Sequence, residues 1–176
     1  KRTMIEIVEE LEKLRLKEIL GYAIESEEAA REYYTELAKN APELVATRFH
    51  NLAREEEIHK KTVQKIYQEH FGDESYTVSG NLPPLESSVE ISTVTSLIRA
   101  LDTAMWNEYN AYRVYKYLAK QEKKHRNLFE YLAAMEKGHY EVVRMEKDTY
   151  EGHVIEKPQT KGMSLKDLWL EAYRVH

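Results

Sequence analysis

The sequence contains no cysteine and only six glycines and four prolines among its 176 residues. Without cysteine the chain cannot form disulfides, Cys-ligated zinc sites or iron–sulfur clusters, and it has no thiol nucleophile. So few glycines and prolines argue against a turn-rich all-β fold and favour helices. No apolar run reaches the length of about 18 residues that a membrane span requires.

Charges of the two signs are nearly balanced, since 26 Lys and Arg face 31 Asp and Glu, a net charge of −5. A mildly acidic surface of this kind does not indicate a nucleic-acid binder or a protein of anionic membranes. The 42% of apolar residues suffice for one sizeable core. The N-terminus shows no signal-type apolar stretch. We therefore expect a cytoplasmic protein with no nucleic-acid and no membrane partner.

Apolar residues recur at alternating steps of three and four in four long segments, which is the pattern of helices that bury one face. This periodicity predicts helices over 16–39, 43–70, 93–121 and 125–150. Short polar turns after the first and third helices indicate two antiparallel hairpins. Only the stretch from about Phe71 to Ser92 is long and irregular, and it can cross between the hairpins along the outside of a bundle.

A short amphipathic segment precedes the bundle, which we place at residues 16–150. Within the N-terminal segment 1–15, a helix is predicted over 3–14, because apolar residues follow helical spacing at Ile5, Val8 and Leu11. We expect this helix to cover an end or a side of the bundle.

The C-terminal segment 151–176 has a similar character. A loop is predicted after Gly152, followed by a last helix with Ser164 as its N-cap. One face of that helix carries Leu165, Leu168, Trp169 and Ala172. We expect this face to cover the bundle, and a partner subunit is the alternative cover.

Carboxylates and imidazoles interrupt the apolar faces of the four long helices. The inward positions include four glutamates and two histidines: Glu27, Glu56, His59, Glu108, Glu136 and His139. An isolated buried carboxylate costs several kcal/mol unless it is paired or ligated, and these faces carry no Lys or Arg. A buried polar network without metal is the alternative, but a pair of divalent cations would neutralise the mutual repulsion.

The two predicted hairpins also repeat each other. Residues 23–38 recur at 104–119 with a shift of 81, and residues 49–59 recur at 129–139 with a shift of 80. Each half therefore contributes one Glu from its first helix and a Glu-x-x-His from its second. A third Glu-x-x-His, from Glu122 to His125, falls in a polar turn and is attributed to chance.

This repeated combination resembles the ferritin-like di-iron carboxylate proteins and, among them, the rubrerythrin group. The resemblance covers about residues 16–150 and implies an all-α, ferritin-like antiparallel four-helix bundle with a long crossover between helices 2 and 3. It also implies two iron ions, and manganese or zinc suits the same donors. The implied roles are one metal each for Glu27 and Glu108, bridges for Glu56 and Glu136, and one metal each for His59 and His139.

By the same resemblance, Tyr34 and Tyr115 correspond to tyrosines that hydrogen-bond to ligand carboxylates and assist catalysis. Their alternative is simple aromatic packing in the core. Rubrerythrins tend to carry an extra carboxylate one turn from the third-helix Glu. Here the residues at those positions are Ala104, Met105, Ala111 and Tyr112.

The resemblance implies redox chemistry in oxidative-stress defence, in which two ferrous ions give two electrons to hydrogen peroxide or dioxygen. A rubrerythrin-like peroxidase or ferroxidase is the favoured enzyme. Rubrerythrins usually add a rubredoxin-like domain with four cysteines, so this sequence implies an external electron donor such as rubredoxin. We expect a homodimer or a higher homo-oligomer. The alternatives are iron storage or handling, with assembly into a hollow shell, and a structural metal-binding bundle without turnover.

Overall fold

The computed structural model describes the backbone of residues 6–172 and the side chains of residues 7–171, so Ile5 of the predicted N-terminal helix lies outside it. Within this range the chain forms six α-helices and two short 3-10 helices, Lys123–His125 and Pro158–Gly162. The α-helices are α1 (Glu6–Glu12), α2 (Leu16–Lys39), α3 (Glu43–Phe71), α4 (Val94–Gln121), α5 (Arg126–Glu156) and α6 (Leu165–Ala172).

The four long helices form the predicted ferritin-like bundle. Helix α2 packs along α3, and α4 packs along α5, so each consecutive pair is a hairpin. The buried apolar residues fall into two clusters at different heights along the bundle. Between them lies a layer that contains buried glutamates and histidines. The prediction of an all-α bundle with a long crossover is confirmed.

Helix α4 begins at Val94 because Thr93 caps it. The Thr93 side chain accepts from the backbone N–H of Ser96 at 3.1 Å, and the Ser96 hydroxyl oxygen accepts from the Thr93 N–H at 2.8 Å. Such a reciprocal box satisfies two backbone donors that a helix start otherwise leaves without partners. Of the two adjacent hydroxyl residues, Ser92 and Thr93, it is Thr93 that caps the helix.

Helix α5 is longer than predicted. Its helical conformation continues through Gly152 to Glu156, so the prediction of a loop directly after Gly152 is wrong. One glycine costs a helix only about 1 kcal/mol, whereas a proline excludes the helical conformation from the residue before it. Lys157, which precedes Pro158, accordingly leaves the helical region with φ −129° and ψ 81°.

The crossover between α3 and α4 runs against α2. The Tyr22 hydroxyl donates to the carbonyl oxygen of Pro83 at 2.7 Å, and the Tyr76 hydroxyl donates to Glu25 Oε1 at 2.5 Å. The ring of Tyr76 lies directly on Gly21, where an added Cβ would approach its Cδ2 to 2.2 Å. A glycine in α2 therefore allows the crossover to lie against the bundle.

Both terminal helices cover the bundle, as predicted. Ile7 and Leu11 of α1 are buried in one apolar cluster, and Leu165 and Leu168 of α6 are buried in the other. The Trp169 indole N–H donates to the carbonyl oxygen of Asn40 at 2.9 Å, which holds α6 against the turn between α2 and α3. Of the described helices, none combines the length and the apolar character that crossing a membrane demands.

Candidate metal centre

The structure brings all six predicted ligands together in the polar layer between the two apolar clusters. Each of the four long helices supplies at least one of them, at one height of the bundle. None is more than 3% exposed: Glu27, Glu56, His59, Glu108, Glu136 and His139. The positions that the heptad pattern placed inward are therefore inward in the folded chain.

Each histidine contacts a glutamate of the opposite hairpin. His59 Nδ1 lies 2.8 Å from Glu136 Oε1, and His139 Nδ1 lies 2.5 Å from Glu56 Oε1. The two imidazole rings stack with their centroids 5.5 Å apart and an interplanar angle of 12°. The repeat seen in the sequence is thus a twofold arrangement in space, in which each hairpin completes the other.

Ligand atoms at this level fall into two overlapping groups. Glu27, Glu56, His59 and Glu136 form one, and Glu56, Glu108, Glu136 and His139 form the other. Within each group one donor atom per residue lies within 4.8 Å of the others. Glu56 and Glu136 belong to both groups, which is the arrangement that two neighbouring metal ions with shared carboxylates require.

Two buried tyrosines hold the remaining carboxylates. The Tyr34 hydroxyl donates to Glu108 Oε1 at 2.6 Å, and the Tyr115 hydroxyl donates to Glu27 Oε1 at 2.6 Å. Burial, and then the neighbouring glutamates, raise the pKa of both tyrosines well above the ordinary value, so both stay protonated donors. Their structural places match the prediction, and again each hairpin supports the other.

The second oxygen of each of these two carboxylates has no hydrogen-bond partner within the described part of the chain. Glu27 Oε2 and Glu108 Oε2 are buried, and each lies 3.6 Å from the Nδ1 atom of the histidine in its own hairpin. A buried polar atom without a partner costs about 1–3 kcal/mol, and more when it is charged. Oxygen and imidazole donors of this kind fit iron, manganese or zinc. A cation beside each of the two oxygens would give it the partner that it lacks.

The negative charges of the four buried glutamates repel one another strongly. Burial, and then the negative charges of Glu108 and Glu27, raise the pKa of Glu56 and of Glu136 well above the ordinary value. Burial also acts to raise the pKa of Glu108, but the neighbouring Glu136 carboxyl and the positive charge of His139 outweigh it and lower that pKa to about 2. Over residues 7–171, the ion pairs of these glutamates are with histidines alone. The metal-free centre must therefore hold protons.

Glu55 joins the centre although the sequence pattern gives no sign of it. Its Oε2 lies 2.8 Å from His139 Nε2, while its side chain remains 42% exposed. Burial acts to lower the pKa of His139, but Glu108 and Glu55 overcome that effect and raise it to about 9. The repeat places Met135 at the position that corresponds to Glu55, so only one of the two histidines can receive such a carboxylate from this position.

A small cavity of about 30 Å³ lies beside the carboxylates. The space is large enough for a molecule of about the size of water. Its walls include the four ligand glutamates, the small side chains of Ala30 and Ala111, and residues 83–86 of the crossover. The crossover therefore forms one wall of the cavity.

Comparison with known proteins identifies the family. The sequence model of the Rubrerythrin family matches residues 18–147, which include all six candidate ligands and both tyrosines. The chain belongs to the rubrerythrin family. Rubrerythrins are ferritin-like di-iron proteins, so this rubrerythrin-family chain is a member of a di-iron carboxylate family.

A solved structure supports the rubrerythrin fold. A hypothetical protein from Pyrococcus furiosus is 30% identical, with a TM-score of 0.75, over 82% of this chain and 96% of that one. No curated protein sequence matches this rubrerythrin-family chain.

Proposed function

We propose that this chain binds two iron ions between its hairpins and uses them to reduce hydrogen peroxide or dioxygen, in oxidative-stress defence. The observation that carries the proposal is a pair of buried carboxylate oxygens, Glu27 Oε2 and Glu108 Oε2, that lack hydrogen-bond partners among the described residues and lie beside a small cavity. When bound, two ferrous ions supply the two electrons that convert hydrogen peroxide and two protons into two water molecules.

The six ligands would divide between the metals as the two overlapping groups divide. Glu27 and His59 would hold one ion, and Glu108 and His139 the other. Glu56 and Glu136, which belong to both groups, would hold both ions. Manganese or zinc would use the same donors.

The chain's other residues orient the ligands and restrict access. Tyr34 and Tyr115 donate hydrogen bonds that leave one oxygen of Glu108 and of Glu27 free for a metal. The crossover at Pro83 forms one wall of the cavity, and the small Ala30 and Ala111 leave room in it for a small oxidant. Because the sequence has no cysteine, we propose an external donor protein such as rubredoxin as the source of electrons.

Anaerobic loading with ferrous iron, followed by hydrogen peroxide or dioxygen, tests this function. We expect two ferrous ions to bind per chain and one equivalent of peroxide to oxidise both at once, seen as ferric absorption. Glu56→Ala is expected to abolish the rapid phase. The matched control Glu57→Gln changes the next carboxylate along α3, which pairs with Arg31 at 3.4 Å, and is expected to leave that phase intact.

Other outcomes would replace the proposal. Iron that stays ferrous, together with zinc or manganese in protein purified without added iron, would indicate a structural metal-binding bundle. Rapid oxidation accompanied by elution at the size of a hollow shell would indicate a ferroxidase of iron storage. We do not expect such a shell, because α1 and α6 already cover the bundle with their apolar faces, and we propose a homodimer or a higher homo-oligomer instead.

A further inference from the structure

A second group of metal-binding side chains lies where α3 ends beside the turn between α4 and α5. His70 is in the last turn of α3, Glu122 is the N-cap of the 3-10 helix, and His125 is the last residue of that helix. One donor atom of each lies within 4.8 Å of the others. Glu122 and His125 are the third Glu-x-x-His of the sequence, and the fold adds a histidine from the other hairpin.

The geometry is close to that of a metal site. Glu122 Oε2 contacts His125 Nδ1 directly and lies 3.9 Å from His70 Nε2. A tetrahedral zinc site with ligands at about 2.1 Å separates its donor atoms by about 3.4 Å. Closing the site therefore requires His70 to approach Glu122 by about 0.5 Å and the directly contacting Glu122–His125 pair to move apart until an ion fits between them. The His70 side chain, which is 29% exposed, has room for it.

The surrounding contacts already orient two of the three donors. Glu122 is buried, and its oxygens accept from the backbone N–H groups of Lys124 and His125 at 3.1 and 3.0 Å. Glu69 Oε2 lies 3.0 Å from His125 Nε2. A metal-binding histidine commonly donates its other ring N–H to a carboxylate, which presents the opposite nitrogen to the ion. Here Glu69 would keep the proton on Nε2, and an ion between Nδ1 and Glu122 would replace the proton that their direct contact shares.

We propose that His70, Glu122 and His125 form a second, mononuclear site for a divalent cation of the zinc class. Two imidazoles and one carboxylate suit zinc and leave a fourth position for water. Glu122 contributes a negative charge next to the ion, and Glu69, which also lies 3.9 Å from Lys124 Nζ, contributes a second, partly balanced one. The ion would join the end of α3 to the α4–α5 turn and so link the two hairpins. The proposal does not depend on redox chemistry at the buried centre.

Zinc binding to the full chain tests the second site. We expect His70→Gln and His125→Ala each to lose one bound zinc ion per chain relative to the unchanged protein, measured by equilibrium dialysis. The matched control His50→Ala removes an exposed histidine from the same helix, α3, and is expected to retain every zinc ion. Glu122 is left unchanged because it caps the 3-10 helix.

A second measurement locates the ion. In NMR spectra with zinc added stepwise, the imidazole signals of His70 and His125 are expected to shift together. The chemical shift of His125 Nδ1 is expected to change with them. Circular dichroism confirms that each variant remains folded. Unchanged zinc stoichiometry in both variants, with unmoved imidazole signals, would overturn the second site and leave the buried centre unaffected. If the imidazole signals of His70 and His125 shift but the buried centre binds no metal, only the proposed function would be contradicted.

Discussion

At the scale of single residues, the hydroxyls of Tyr34 and Tyr115 decide how the carboxylates of Glu108 and Glu27 are presented. Each donates one hydrogen bond of 2.6 Å within the buried layer of the bundle. Outer hydrogen bonds of this kind fix a ligand's orientation before the metal arrives. Removing one therefore leaves a ligand in place but lets it turn.

Tyr34→Phe is expected to weaken metal binding about 10–100-fold, because the Glu108 carboxylate loses its orienting donor. Competitive titration against a chelator with a metal-sensitive dye measures the change. The matched control is Tyr33→Phe, whose hydroxyl donates to the carbonyl oxygen of Ala100 at 2.7 Å. It should lower the unfolding free energy by about 1 kcal/mol while metal affinity stays the same. Equal metal affinity in the two variants would refute the orienting role.

Glu55 makes the two halves of the centre unequal, since its counterpart in the repeat is Met135. Glu55→Ala is expected to lower the binding affinity for one of the two metal ions about tenfold, because His139 loses the carboxylate that fixes its ring. Met135→Ala is expected to leave both affinities unchanged. A two-step titration monitored by isothermal calorimetry separates the ions. An equal loss at both steps would contradict this assignment.

At the scale of elements, the contact between α2 and the crossover depends on the absence of a side chain at Gly21. Gly21→Ala is expected to cost about 1–3 kcal/mol of unfolding free energy, because the new Cβ would meet the Tyr76 ring at 2.2 Å. Gly152→Ala in α5, where no atom lies within 4 Å, should gain up to about 1 kcal/mol. Urea unfolding compares them. If both substitutions raise the unfolding free energy to a similar degree, the crossover moves away from Gly21 at little cost.

The elements also show what the sequence could and could not predict. Helices α2, α3 and α4 lie within about one residue of their predicted bounds, because long periodic faces mark all three, and Pro42 and Thr93 mark the starts of α3 and α4. The six buried ligands followed from polar residues on apolar faces. Glu55 and the His70 cluster did not, because each depends on a contact between helices far apart in the chain, which periodicity within one helix does not encode.

At the scale of the whole molecule, the buried centre links stability to pH. The pKa of His139 rises from 6.5 to about 9 on folding, so its contribution is complete below pH 6.5 and is lost as pH rises through 9. The raised pKa values of Glu56 and Glu136 also make the folded protein less stable as the pH rises above their ordinary pKa of 4.5. The lowered pKa of Glu108 acts oppositely, and only as pH falls from 4.5 toward 2.

The melting temperature of metal-free protein is therefore expected to fall by several degrees between pH 6.5 and 9. Metal ions replace the protons, so the gain in melting temperature on metal loading should grow over the same range. Differential scanning calorimetry of chelator-treated and loaded samples measures both trends. The double variant Glu56→Gln, Glu136→Gln serves as a control with a flatter profile. A metal-free protein that becomes more stable toward pH 9 would be inconsistent with buried protons.

The crossed pairing of Tyr34 with Glu108 and of Tyr115 with Glu27 has a consequence for the chain as an assembly of two halves. Neither hairpin by itself contains both a glutamate and the tyrosine that orients it. A chain cleaved within the crossover would consist of two fragments that are complementary at the centre, and each would restore what the other lacks. The metal would then report on their reunion, because only the reassembled pair offers it a complete set of oriented ligands.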